Sequence, residues 1–84
     1  MDFIEIEGKH CTDTEISQQT VQTLEECQTL CYDNAECVAA EVDSNDMVCY
    51  LKATCDTTAT NINVKLYLKT CMYLFIYCVM FKVI

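Results

Sequence analysis

The sequence predicts a small α+β module in which one helix packs against four or five antiparallel strands and disulfides hold the parts together. Three observations carry this. Thr23-Leu24-Glu25-Glu26 has the form of a capping box and opens a run with helical spacing. Short apolar or alternating segments bounded by turn residues read as strands. Eight of the 84 residues are cysteine, against one glycine and no proline.

The elements follow in chain order. Residues 3–7 alternate apolar and acidic side chains and predict a short strand ending at Gly8. Residues 12–22 are polar, with Ile16 and Val21 as isolated apolar contacts, and read as an extended loop or short strand. In the capping box, Thr23 accepts from the amide of Glu26, and the Glu26 carboxylate is expected to reach back to the amide of Thr23. The two glutamates also suit the positive end of the helix dipole. Leu24, Cys27 and Cys31 then recur along one face, with Leu30 beside them, which predicts a helix over about 24–33. Residues 37–43 and 47–52 form a hairpin around Ser44-Asn45-Asp46, whose short polar side chains replace the usual glycine. Residues 53–61 read as a Thr-rich loop. The last strand, 61–69, places Ile62, Val64, Leu66 and Leu68 on one face and Asn63, Lys65, Tyr67 and Lys69 on the other. No internal repeat is visible.

Length and charge exclude whole classes of function. A chain of 84 residues is one domain at most, and it buries only about 60% of its unfolded surface. Such a domain needs staples. A large enzyme core, a cofactor domain and a multi-domain machine are excluded, and no cofactor is expected. The formal charge of −8, with five lysines and no arginine, argues against nucleic acid, because phosphate contacts need a basic face. All thirteen acidic residues lie between Asp2 and Asp56, opposed there only by Lys9 and Lys52. From Thr57 onward there are three lysines and no acid. That asymmetry suggests two parts of different origin or environment.

Cys11, Cys27, Cys31, Cys37, Cys49, Cys55, Cys71 and Cys78 form an even set with irregular gaps. Zinc is the rival to disulfides, but a zinc site wants two short Cys knuckles or one knuckle with paired histidines. Here there is no Cys-x2-Cys, and His10 is the only histidine. Disulfides are preferred, which places the protein outside the cytosol. Met1-Asp2-Phe3-Ile4-Glu5 does not read as a signal peptide. The expectation is an excised domain or a gene model lacking its true beginning. No Asn-x-Ser/Thr sequon occurs, so N-glycosylation is not expected.

Cys27 and Cys31 lie four apart, one helical turn from each other on the same face. A regular helix keeps them from bonding to each other, so each must reach elsewhere. Cys37, where the chain folds back past the helix, suits Cys31. Cys49, on the second hairpin strand, suits Cys27. Each bridge would stabilise the domain by roughly 2–4 kcal/mol.

Gly8-Lys9-His10-Cys11, Thr23-Leu24-Glu25-Glu26-Cys27-Gln28-Thr29-Leu30-Cys31, Glu36-Cys37-Val38-Ala39-Ala40, Cys49-Tyr50-Leu51-Lys52 and Tyr67-Leu68-Lys69-Thr70-Cys71 together resemble the PAN/apple domain family. The resemblance covers about residues 8–71. It implies a curved antiparallel sheet of about five strands cradling one helix. It implies the bridges Cys27–Cys49 and Cys31–Cys37 and, as in apple-type members, a further bridge Cys11–Cys71. Cys55 is not part of the common pattern and is a rival partner for Cys11. Cys78 lies beyond the family's usual end, where a Cys55–Cys78 bridge has no support from the pattern. The resemblance also implies extracellular recognition of proteins or carbohydrates without catalysis.

Other features weigh towards structure. His10 beside Cys11 is poorly placed for a thiol–imidazole pair, and an oxidised Cys11 offers no thiolate. Asp43-Ser44-Asn45-Asp46 lacks the glycine and distal glutamate of a calcium loop and reads as a hairpin turn. The Thr-rich loop reads as a flexible connection sooner than a site for O-linked sugar. Tyr50, Lys52, Tyr67 and Lys69 fall on or near strand surfaces, where aromatic–lysine pairs suit protein or glycan contacts, although packing is the stronger reading. The apolar end, Cys71 to Ile84, runs eleven residues before Lys82, short of the roughly 20 needed to cross a bilayer. It reads as a truncated or misread end, and membrane contact through it is disfavoured.

The expected organisation is therefore a PAN/apple-like domain over 1–71 and an apolar tail over 72–84. The expected function is a secreted or extracellular, non-enzymatic module that binds a protein or glycan. A small secreted disulfide-rich effector, either toxin or protease inhibitor, is the alternative, and an intracellular zinc domain is a third reading. No motif distinguishes a protein ligand from a glycan.

Overall fold

The computed structural model describes residues 3–70. Cys71, Cys78 and the tail 72–84 lie outside the described residues. Within them the chain forms β1 (Phe3–Cys11), β2 (Glu15–Thr20), α1 (Leu24–Tyr32), β3 (Ala39–Asp43), β4 (Val48–Lys52) and β5 (Thr58–Lys69). The strands make one five-stranded sheet in the order β1-β5-β3-β4-β2. Every neighbouring pair is antiparallel. α1 packs across one face, mainly on β3 and also on β4 and β5.

The helix begins where its cap places it. The amide of Glu26 donates to Thr23 Oγ1 at 3.1 Å. The Glu26 carboxylate accepts from the amide of Gln22 at 2.8 Å, one residue earlier than the reciprocal bond to Thr23 that the sequence predicted. Thr23→Ala removes the cap acceptor and should cost about 1 kcal/mol, read as a lowered urea midpoint with an unchanged slope. At the other end, the last turn contains no basic residue of its own. Lys69 of β5 supplies one: its Nζ donates to the carbonyls of Cys31 (2.9 Å), Asn34 (3.1 Å) and Cys37 (3.1 Å). A cation there complements the negative end of the helix dipole.

Strand alternation divides the sheet into two packed faces. Under the helix lie Val21, Cys27, Cys31, Cys37, Ala40, Val42, Cys49, Leu51 and Tyr67. The opposite face holds a smaller cluster of Cys11, Ala39, Cys55 and Leu66, flanked by Ile6, Val38 and Leu68. The face of β5 carrying Val64, Leu66 and Leu68 is therefore the one away from the helix. Tyr67 is buried against the helix, with the Phe3 ring edge-on to it at a centroid distance of 6.3 Å.

Two elements differ from the sequence expectation. β1 does not stop at Gly8 but continues to Cys11. Gly8, at φ 80°, lies within the irregularity where the ladder jumps from Glu7 opposite Lys65 to Lys9 opposite Thr60. That left-handed backbone is open to glycine at no steric cost. The extension of β1 gives the Thr-rich segment a partner, so β5 starts at Thr58, with β-branched threonines already in the ladder. Residues 15–20 take the short-strand form of the two the sequence allowed, all six exposed and, among the described strands, paired with β4.

Three disulfides join the described residues: Cys27–Cys49, Cys31–Cys37 and Cys11–Cys55. The first ties α1 to β4, and the second closes the turn after α1. The third corrects the expected Cys11–Cys71 bridge, since Cys11 is bonded to Cys55. The extended β1 sets Cys11 opposite Thr58, and the Thr12 amide donates to the Thr57 carbonyl at 3.1 Å. Cys11 thereby stands beside the segment leading into β5, its Cα 5.2 Å from that of Cys55.

Candidate functional site

Residues two apart on a strand share a face, so Glu41 and Asp43 of β3 point away from the helix, as do Tyr50 and Lys52 of β4. The register sets Tyr50 directly opposite Glu41, and Lys52 opposite Ala39. Above them the link from β1 to β2 forms a rim. The result is a cleft of about 590 Å³ with Glu41, Asp43, Tyr50 and Lys52 on its floor, residues 10–15 along one wall, and Asn61 and Val64 on the β5 side.

Two charged side chains are buried in this floor, Glu41 at 4% and Lys52 at 5% exposure. Buried charges need partners, and both have them. Glu41 Oε2 accepts from the backbone amide of Cys11. Lys52 Nζ donates to the Asp13 carbonyl and lies 3.6 Å from Glu15 Oε1. The rim is tied down in turn. Thr54 Oγ1 donates to Asp13 Oδ2 at 2.5 Å, and the hydroxyls of Thr12 and Thr57 are hydrogen-bonded to each other. With the Cys11–Cys55 bridge, these contacts fix the wall to the segment before β5.

Burial pushes the Glu41 carboxyl above its ordinary range, against the opposing effects of the Cys11 amide and the Lys52 charge. Burial also raises the Tyr50 hydroxyl, reinforced by Asp46 and Asp43. A carboxyl whose pKa is higher folded than unfolded binds more protons in the native state, so its contribution favours folding at low pH. That contribution is lost as pH rises from the ordinary glutamate value through the raised one. Glu41→Gln removes this dependence. Relative to the parent, the variant should gain stability between pH 4 and pH 7.5, as urea midpoints at the two pH values will show. A constant difference between the two proteins would contradict the assignment.

The sequence grouped Tyr50, Lys52, Tyr67 and Lys69, and the structure separates them. Tyr50 and Lys52 line the cleft, whereas Tyr67 and Lys69 serve the helix side. Sequence reasoning missed Glu41. Its signal was an acid set among apolar residues, in Val38-Ala39-Ala40-Glu41-Val42. Cys11 is in a disulfide and offers no thiolate, and His10 Nδ1 lies 3.2 Å from the Cys11 carbonyl. The 43–46 turn is closed on itself: Asp43 Oδ1 accepts from the Asn45 amide and Asp46 Oδ1 from the Val48 amide. Among the described residues no group of three or more His, Cys, Asp or Glu is placed to hold a metal ion. Nor, among them, is any helix long and apolar enough to cross a membrane.

What this arrangement offers chemically is a firmly held polar cleft that can recognise a ligand. Among known protein families, the model for the PAN domain matches residues 2–78. No curated protein matches the chain.

Proposed function

The chain belongs to the PAN domain family, a family of interaction modules, and from that premise we propose that it is a non-enzymatic, extracellular recognition module that binds protein or carbohydrate through the cleft. The observation that carries this reading is the cleft itself, with two buried charges in its floor and a rim fastened by the Cys11–Cys55 bridge. Held polar groups of this kind orient a ligand without having to be ordered on binding. Three disulfides among the described residues suit an oxidising compartment, which supports secretion.

The test is a titration of the oxidised, isotope-labelled protein with a panel of saccharides and basic, acidic and neutral peptides, followed by backbone amide shifts. Saturable shifts confined to residues 10–15, 41–43 and 50–52 are expected for at least one class. Binding that maps only to the helix or to β1, with the cleft unmoved, would overturn the assignment of the surface.

A further inference from the structure

The cleft's charge and hydrogen-bonding capacity are unbalanced. Asp13, Glu15, Glu41 and Asp43 line it against a single lysine. Lys52 is hydrogen-bonded to the Asp13 carbonyl and paired with the Glu15 carboxylate, so its charge is already compensated. Glu41 is the decisive residue. It is buried to all but 4%, and it gives Oε2 to the Cys11 amide. Among the described residues no fully buried side-chain oxygen lacks a partner. The donor shown for Glu41 meets Oε2, and the residue lines the floor of the cleft. A carboxylate accepts at both oxygens, so this one has capacity for a donor from outside.

The groups around it repeat the demand. Asp43 uses Oδ1 on the Asn45 amide, and the Tyr50 ring stands opposite Glu41 in the ladder. A site with spare carboxylate acceptors beside an aromatic ring matches a cation carrying several N–H donors. We propose that the cleft receives a basic side chain, arginine or lysine, of a partner protein, with Glu41 as the acceptor at its floor. This inference rests on the recognition reading above and narrows it to a protein ligand. The overall charge of −8 would steer such a partner towards the module and make association faster at low salt.

The probes are Nα-acetyl-arginine amide and its uncharged isostere Nα-acetyl-citrulline amide, titrated into the oxidised full chain at neutral pH. The arginine compound should shift amides at residues 11–15, 41–43 and 50–52, weaken with added salt, and bind at least tenfold more tightly than the citrulline compound. Glu41→Gln should weaken it about tenfold, in keeping with a lost charge-assisted bond. Should that variant fail to fold, Asp43→Asn keeps its turn bond and should still weaken binding several-fold. Equal binding of the two probes, shifts confined to Glu5 and Glu7, or no effect of either substitution would overturn the proposal. Saccharides that occupy the cleft while arginine does not would overturn it and leave the recognition reading intact. Failure of every ligand to move the cleft would remove both.

Discussion

Replacing Cys27 and Cys49 together by alanine is expected to lower stability by about 3 kcal/mol, the chain-entropy value for a loop of this length. The two residues are separated by 22 positions and fully buried in the main core. Their bridge fastens α1 to β4, and α1 is too short to be stable in water without packing. A loss of that size would lower the melting temperature by more than about 10 °C in a domain of this length. The Cys31–Cys37 bridge closes only six positions, so its removal should cost less, about 2 kcal/mol. Thermal melts of the two double-alanine variants, followed by circular dichroism, provide the measurement. If removal of Cys31–Cys37 proved the more damaging, loop closure would not be what the bridges contribute, and packing of the half-cystines would take its place.

The parts of the fold that were legible in the sequence are those whose signals are local. Thr23 and Glu26 mark the start of α1, Cys27 and Cys31 mark its buried face, and Ser44-Asn45-Asp46 marks the hairpin. What was not legible depends on long-range partners. β2 carries no burial pattern because it is an edge strand with every residue exposed, and only its pairing with β4 makes it a strand. The partner of Cys11 follows from the register jump at Gly8, which keeps β1 in the sheet for three further residues and brings Cys11 beside Cys55. Nothing in the residues around Cys11 encodes that. The candidate site was half legible. Tyr50 and Lys52 were visible as an aromatic–lysine pair, but Glu41 becomes a floor residue only once β3 is central and flanked on both sides. Asp13 and Glu15 join it only because the rim folds over the sheet.

Tyr67→Ala is expected to destabilise the domain by about 3–5 kcal/mol, the usual cost of deleting a buried aromatic ring, whereas Ile62→Ala should change it by no more than about 0.5 kcal/mol. Alternation alone ranks them the other way, because Ile62 shares a face with Val64 and Leu66 while Tyr67 alternates with them. The structure reverses the ranking for a physical reason. β5 is an interior strand over its C-terminal half, with β1 on one side and β3 on the other, and it has packed residues on both faces. There Tyr67 is 2% exposed beneath α1, and its ring meets Phe3 edge-on. Ile62 sits in the irregular stretch opposite Gly8 and is 84% exposed. Tyr67→Phe separates the ring from the hydroxyl. It keeps the ring's packing and removes only the hydroxyl, so it should cost no more than about 1 kcal/mol. Urea unfolding of the three variants gives the order Tyr67→Ala, Tyr67→Phe, Ile62→Ala from most to least damaging. An Ile62→Ala loss as large as that of Tyr67→Ala would mean that the apolar stripe of β5, and not its helix-facing tyrosine, anchors the strand.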